Sequence, residues 1–178
     1  ATGKVPGATA PGSVPAGTAI TLASYTDRPE LGEMVPLMAQ QLEAAGFTVT
    51  QDVREYNQIE SEALAGAFDA VLLSRSTVLD SGDPVAYMVS DFSSTGSFAL
   101  SFLSDPTVDA AIAKASGIEP GEERRKAIME AEQAILVTGA AIPIVHERVL
   151  QGEAAGVSGA ERDPNERTLI TSSTAVKK

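Results

Sequence analysis

An α/β fold with an open, mainly parallel sheet flanked by helices is what this sequence predicts, and three observations carry the prediction. Short apolar runs at residues 19–25, 47–53 and 68–74 read as strands. Segments with helical spacing separate them, so the order is strand, helix, strand, helix, strand. Strands joined through helices pair in parallel, because the connection must cross the sheet. Beyond residue 104 the pattern turns mostly helical.

The elements follow in order. AITLASY (19–25) is the first strand. The segment ELGEMVPLMAQQLEAAG then puts Leu31, Met34, Val35, Met38, Leu42 and Ala45 on one helical face, with Gly46 as the C-cap. Pro36 either kinks this helix or marks its first turn. FTVTQDV (47–53) is the second strand. Asn57 with Glu60 predicts a capping box for a short helix through Leu64 that stops near Gly66. FDAVLLS (68–74) is the third strand, and RSTVLDSGDP follows it as a polar loop.

In the second half, Asp105 as cap and Pro106 as first residue start a helix that carries Val108, Ile112 and Ala115. Pro120 opens another, with Glu119, Glu122 and Glu123 near the positive end of its dipole. Ile128, Ala131, Ile135 and Leu136 form its apolar stripe, and Thr138-Gly139 ends it. AIPIVHERV (141–149) reads as a further strand. Residues 1–18 interleave Pro6, Pro11 and Pro15 with Gly3, Gly7, Gly12 and Gly17, the composition of a linker or strap. From residue 152 onward large apolar residues are few and periodicity is weak, so this tail lies outside the core. The domain organisation is therefore strap 1–18, α/β lobe 19–151 and tail 152–178.

Composition excludes several function classes. A formal net charge of −11 opposes nucleic-acid binding, which needs clustered cations to release counterions. The absence of Cys removes disulfides, thiolate catalysis and Cys-ligated zinc. No apolar run reaches the roughly 20 residues of a membrane span, and ATGKVPGATA has no signal-peptide core. The glycines of the strap follow no strand and precede no Gly-Lys-Ser or Gly-Lys-Thr, so they make no phosphate loop.

Catalytic patterns are equally sparse. The single histidine, His146, sits in the predicted strand beside Glu147 and Arg148 and reads as a strand-surface residue. There is no G-x-S-x-G elbow and no H-E-x-x-H. Asp80 and Asp83 are a carboxylate pair of the kind that holds magnesium, but beside Gly82 and Pro84 they read first as turn chemistry. GEERRK (121–126) reads as a solvated helix face. No enzyme, cofactor or resident metal is expected.

The ordered set of motifs carries more than any one of them. A helix ends in LEAAG before the strand FTVT, REY follows, and AGAFDAVLLS leads into a loop ending in DP. FLSDPTVDAAIAKA, EERRKAIMEAEQAIL, AIPIVHERV and VSG complete the series. Over residues 19–159 this resembles the C-terminal lobe of the family 5 extracellular solute-binding proteins, the dipeptide-, oligopeptide- and nickel-binding group of ABC importers. The resemblance implies a type II periplasmic-binding-protein-like lobe that closes on a peptide or small-molecule solute together with an N-terminal lobe, and then docks on a membrane permease. It also implies an extracytoplasmic place, with lipid anchoring through an N-terminal region outside this sequence. The tail 152–178 would then return to pack on the missing N-terminal lobe.

The resemblance also assigns the dense polar loop. Asp80, four residues before Pro84, matches the carboxylate that pairs with a ligand's α-ammonium, a role suited to charge-assisted hydrogen bonding. Arg75 stands where the family often has an aromatic wall, and could stack flat or bind a carboxylate. Ser76 adjoins it, and Glu55-Tyr56 matches an E-W pair of the family. Two other readings are a hydrolase or phosphotransferase using Asp80 and Asp83 with a metal, and a sensor or interaction domain of the same fold.

Overall fold

The computed structural model describes residues 15, 17–76, 82–146, 150–163 and 168–177. Its sheet has three parallel strands in the order β2-β1-β3, with β1 at Thr18–Tyr25, β2 at Phe47–Arg54 and β3 at Ala70–Val71. β1 pairs with β2 from Thr18 opposite Phe47 to Tyr25 opposite Arg54, and with β3 at Leu22–Ala70 and Ala23–Val71. Helix α1 (Pro29–Ala44) connects β1 to β2, and α2 (Tyr56–Leu64) connects β2 to β3. Four consecutive buried residues, Leu22 to Tyr25, show that β1 is covered on both faces at its carboxyl end. The mixed α/β architecture with a parallel open sheet is the one the sequence predicts.

Two apolar clusters hold the lobe. One joins Leu22 and Tyr25 of β1, Leu31 and Val35 of α1, Ile59 of α2, and Leu72 just past β3. The other lies among α3 (Pro84–Phe92), α4 (Pro106–Ser116) and α5 (Glu122–Val137), and includes Met88, Val108, Ile112, Ala131 and Ile135. The small residues Ala115, Ala127 and Ala131 let α4 and α5 approach closely. The two clusters share no buried residue.

The close of α1 at Gly46 is as expected, whereas several other local expectations need correction. Pro36 lies inside α1, as its eighth residue, and Gly46 adopts φ +105° just past its end. The capping box at Asn57 and Glu60 does not form, because α2 already begins at Tyr56. The Tyr56 N–H is instead satisfied by Asp27 Oδ2 at 2.8 Å, from the turn after β1. β3 is shorter than the run 68–74, with ladder pairing only at Ala70–Val71. α3 is a helix the sequence reading missed, although Asp83-Pro84 carries the same cap-and-proline signal as Asp105-Pro106.

Within 141–149, the described residues 141–146 form no strand, and Ile142, Ile144 and Val145 stay exposed. An extended apolar segment becomes a strand only against a partner edge, and none of the described edges pairs with it. The tail forms a short antiparallel ribbon of β4 (Val157–Ser158) and β5 (Ala175–Val176) that contributes to neither cluster. No helix among the described residues is long and apolar enough to cross a membrane.

Candidate functional site at the carboxyl ends of the strands

In a parallel sheet every strand ends on the same side, and ligands of such folds sit beyond those ends. Here that edge gathers Thr26 to Arg28 after β1, Glu55 and Tyr56 after β2, and Leu72 to Ser76 after β3. Its framework is hydrogen-bonded. Buried Ser24 donates its hydroxyl to the Leu72 carbonyl at 2.9 Å. The Tyr25 hydroxyl accepts the Ser74 N–H at 3.0 Å and donates to the Ser74 carbonyl at 3.3 Å. Side chains of β1 thus fix the path of the chain beyond the two paired residues of β3.

Tyr56 stands against this framework. Its ring meets Tyr25 edge to face, with centroids 5.1 Å apart. Its hydroxyl donates to Glu60 Oε1 at 3.0 Å, and its N–H is held by Asp27. Burial, and then the bond to the Glu60 carboxylate, pushes the Tyr56 phenol up to about 12. Tyr56 is therefore a neutral, oriented ring at neutral pH.

Arg75 is already engaged. Its Nε and Nη2 donate to the two carboxylate oxygens of Asp91 at 2.8 and 2.7 Å, and Asp91 is buried. The guanidinium also lies over the Phe98 ring, 4.5 Å from its centroid, and 5.6 Å from that of Tyr87. Burial, followed by the Asp91 charge, raises the Tyr87 phenol above its ordinary value. Ser76 is exposed beside Arg75. Asp80 lies outside the described residues. Asp83 caps α3 by accepting the Val85 N–H at 3.0 Å, while its other oxygen accepts from Arg124 Nη2 at 2.6 Å. The structure thus brings Tyr56 and Arg75 to one edge and gives Asp83 to a helix start.

The remaining motifs resolve into structural parts. Gly66 takes φ +78° at the end of α2, and a side chain there would meet the Phe102 ring at 3.3 Å. Phe68 packs on the sheet cluster, and Asp69 accepts the Thr21 N–H at 2.8 Å, so G-x-F-D serves the entry to β3. Asp105 caps α4 through the N–H groups of Thr107 and Val108, and Asp109 binds the N–H and hydroxyl of Ser94. Arg124, expected on a solvated face, is mostly buried and also donates to the Ile118 carbonyl at 2.7 Å. Arg54 is forked onto Asp52 and Glu62, and the Glu62 carboxyl is lowered by that bond.

His146 is exposed. Among the described residues no group of three His, Cys, Asp or Glu side chains is placed to hold a metal ion. Two hollows of the described surface, of about 620 and 520 Å³, lie along α5 and between α4 and α5. Neither includes a residue of the strand-end edge. Sequence reasoning missed Asp27 and Asp91, and it put Arg124 on a solvated face that the structure mostly buries.

No family model matches the sequence, and no curated protein matches it. Solved structures do share the fold. A dipeptide binding protein from Pseudoalteromonas sp. SM9913, in complex with Met-Leu, superposes over 90% of this chain with a TM-score of 0.72 and 21% identity. The chain has the fold of a solute-binding-protein lobe. NikA from Staphylococcus aureus, in complex with Ni(L-His)2, also covers 90% of this chain, with a TM-score of 0.68 and 17% identity. The periplasmic binding protein DppA from Helicobacter pylori, in complex with the peptide STSA, covers 70%, with a TM-score of 0.59 and 16% identity. This chain spans 32%, 34% and 24% of those three proteins, at most about a third of their length.

Proposed function

We propose that this chain is one lobe of a two-lobe solute-binding protein of a peptide importer, and that it captures its solute against the carboxyl ends of β1 to β3. The observation that carries the reading is the superposition of 90% of the chain on a dipeptide binding protein, together with a fixed aromatic and an anchored arginine at the strand ends. Tyr56 supplies a wall of the cleft, Arg75 and Ser76 its rim, and Asp80 the counter-charge for a solute ammonium. A pairing of that kind is strong where closure removes water. Binding by closure needs no catalytic group, so the protein is read as a receptor and not an enzyme.

The same reading accounts for the exposed apolar residues. Ile170 and Val176 are 79 and 72% exposed, and both lie in the tail that would meet the second lobe. Residues 19–151 form the lobe, 1–18 a strap, and 152–178 a return segment toward that partner. The working place is extracytoplasmic, beside an ABC permease, with anchoring through a region outside this sequence. The hydrolase reading has less support, because both Asp83 oxygens serve a helix cap and Arg124.

Calorimetry on the two-lobe protein tests the proposal, with Met-Leu and a mixed di- to pentapeptide pool as probes. Saturable binding is expected, and Asp80→Asn should weaken it by about 1.5–3 kcal/mol, the scale of a charged hydrogen bond. The isolated chain should give a flat trace. Absence of peptide binding by the two-lobe protein refutes the solute class, and tight binding by the isolated chain refutes the need for closure.

A further inference from the structure

The sheet and the helical layer have separate apolar cores, so the links between them decide how firmly the strand-end edge is held. The chain crosses from one to the other between β3 and α3. Both ends of that connection are tied to the helical layer by an arginine–aspartate pair. At the near end Arg75 is forked onto both oxygens of Asp91 and lies over Phe98. A two-point fork with a ring against its face leaves the guanidinium one orientation. The Asp91 side chain is only 7% exposed, which keeps its carboxylate away from solvent, while the Arg75 side chain is 35% exposed.

At the far end Asp83 divides its carboxylate between the α3 N-terminus and Arg124. Arg124 in turn donates to the Ile118 carbonyl, and its side chain is 16% exposed. One guanidinium thereby couples the start of α3 to the turn between α4 and α5.

We propose that Asp91 and Arg124 are positioning residues for the solute-facing edge: they fix Arg75 and Asp83, the two ends of the β3–α3 connection, without touching solute themselves. The inference rests on reading this edge as the solute-facing one. The anchoring does not depend on that reading, so the two are tested apart.

Amide hydrogen exchange on this chain, with no solute present, tests the anchoring. Asp91→Asn keeps the side-chain shape and removes the charge. About tenfold faster exchange is expected in the peptide spanning residues 74–86, with α1 and α4 within about twofold of wild type. Arg124→Lys keeps the charge but cannot serve Asp83 and Ile118 together, and should accelerate residues 82–86 alone. If Asp91→Asn fails to fold, Phe98→Leu is read in its place, with about threefold acceleration expected over the same peptide.

Acceleration spread evenly over α3, α4 and α5, or none at all, overturns the proposal. The first makes Asp91 an ordinary core group, and the second makes the pairs idle. Met-Leu titration of Asp91→Asn in the two-lobe protein completes the test. About tenfold weaker binding alongside the local exchange change supports positioning. Unchanged affinity with that same exchange change overturns the solute-facing part and leaves the anchoring.

Discussion

Tyr25→Phe removes two hydrogen bonds and almost nothing else. The Tyr25 hydroxyl exchanges bonds of 3.0 and 3.3 Å with the Ser74 backbone, and the tyrosine is 7% exposed. Phenylalanine keeps the ring, and with it the edge-to-face contact to Tyr56. A net hydrogen bond is worth about 0.5–1.5 kcal/mol, and the 3.3 Å bond lies at the weak end of that range. The Ser74 N–H and carbonyl are part-buried, so water replaces the hydroxyl incompletely. The expected loss is therefore about 1–2.5 kcal/mol. For a domain of this size that lowers Tm by roughly 3–8 °C. Urea unfolding followed by circular dichroism reads it as a lower midpoint at unchanged slope. Tyr56→Phe is the control: its lost bond goes to Glu60 on the same helix, and should cost less than about 0.5 kcal/mol. A Tyr25→Phe midpoint equal to wild type, with Tyr56→Phe the more damaging change, would refute the assignment of the Tyr25 hydroxyl as the clasp of β3.

Two further outcomes follow from the same geometry. The Tyr56 phenol is raised from 10 to about 12, so it favours the folded state below its unfolded value of 10. That contribution is lost as pH climbs from 10 through 12. Ultraviolet titration should show a late ionisation near pH 12 that Tyr56→Phe removes; its persistence in the variant would contradict the assignment. Asp105→Ala strips the cap from the N–H groups of Thr107 and Val108 and should cost about 1 kcal/mol, whereas Asp105→Asn should lose little. Equal losses in the two variants would mean that charge, and not capping, is what α4 needs.

The alternation of strands and helices was legible because it is written in local periodicity. α1 shows its buried face at Leu31 and Val35, α4 at Val108 and Ile112, and Asp105-Pro106 announces where α4 begins. Gly46 adopts the left-handed conformation for which a helix end selects glycine. The start of α3 was equally written in Asp83-Pro84, but Asp-Pro also opens turns, and Gly82 beside it favours the turn reading. What the sequence alone did not determine is who meets whom. Asp91 is 16 residues from Arg75, and Arg124 is 41 from Asp83. Long charged side chains reach partners that only the packed helices bring near. AIPIV has the composition of a strand, yet the described residues 141–146 remain outside the sheet, because a strand is a property of two segments. Periodicity is set by each residue's immediate neighbours along the chain, whereas ion pairs, caps borrowed from distant turns and strand pairing are set by which surfaces the fold brings together.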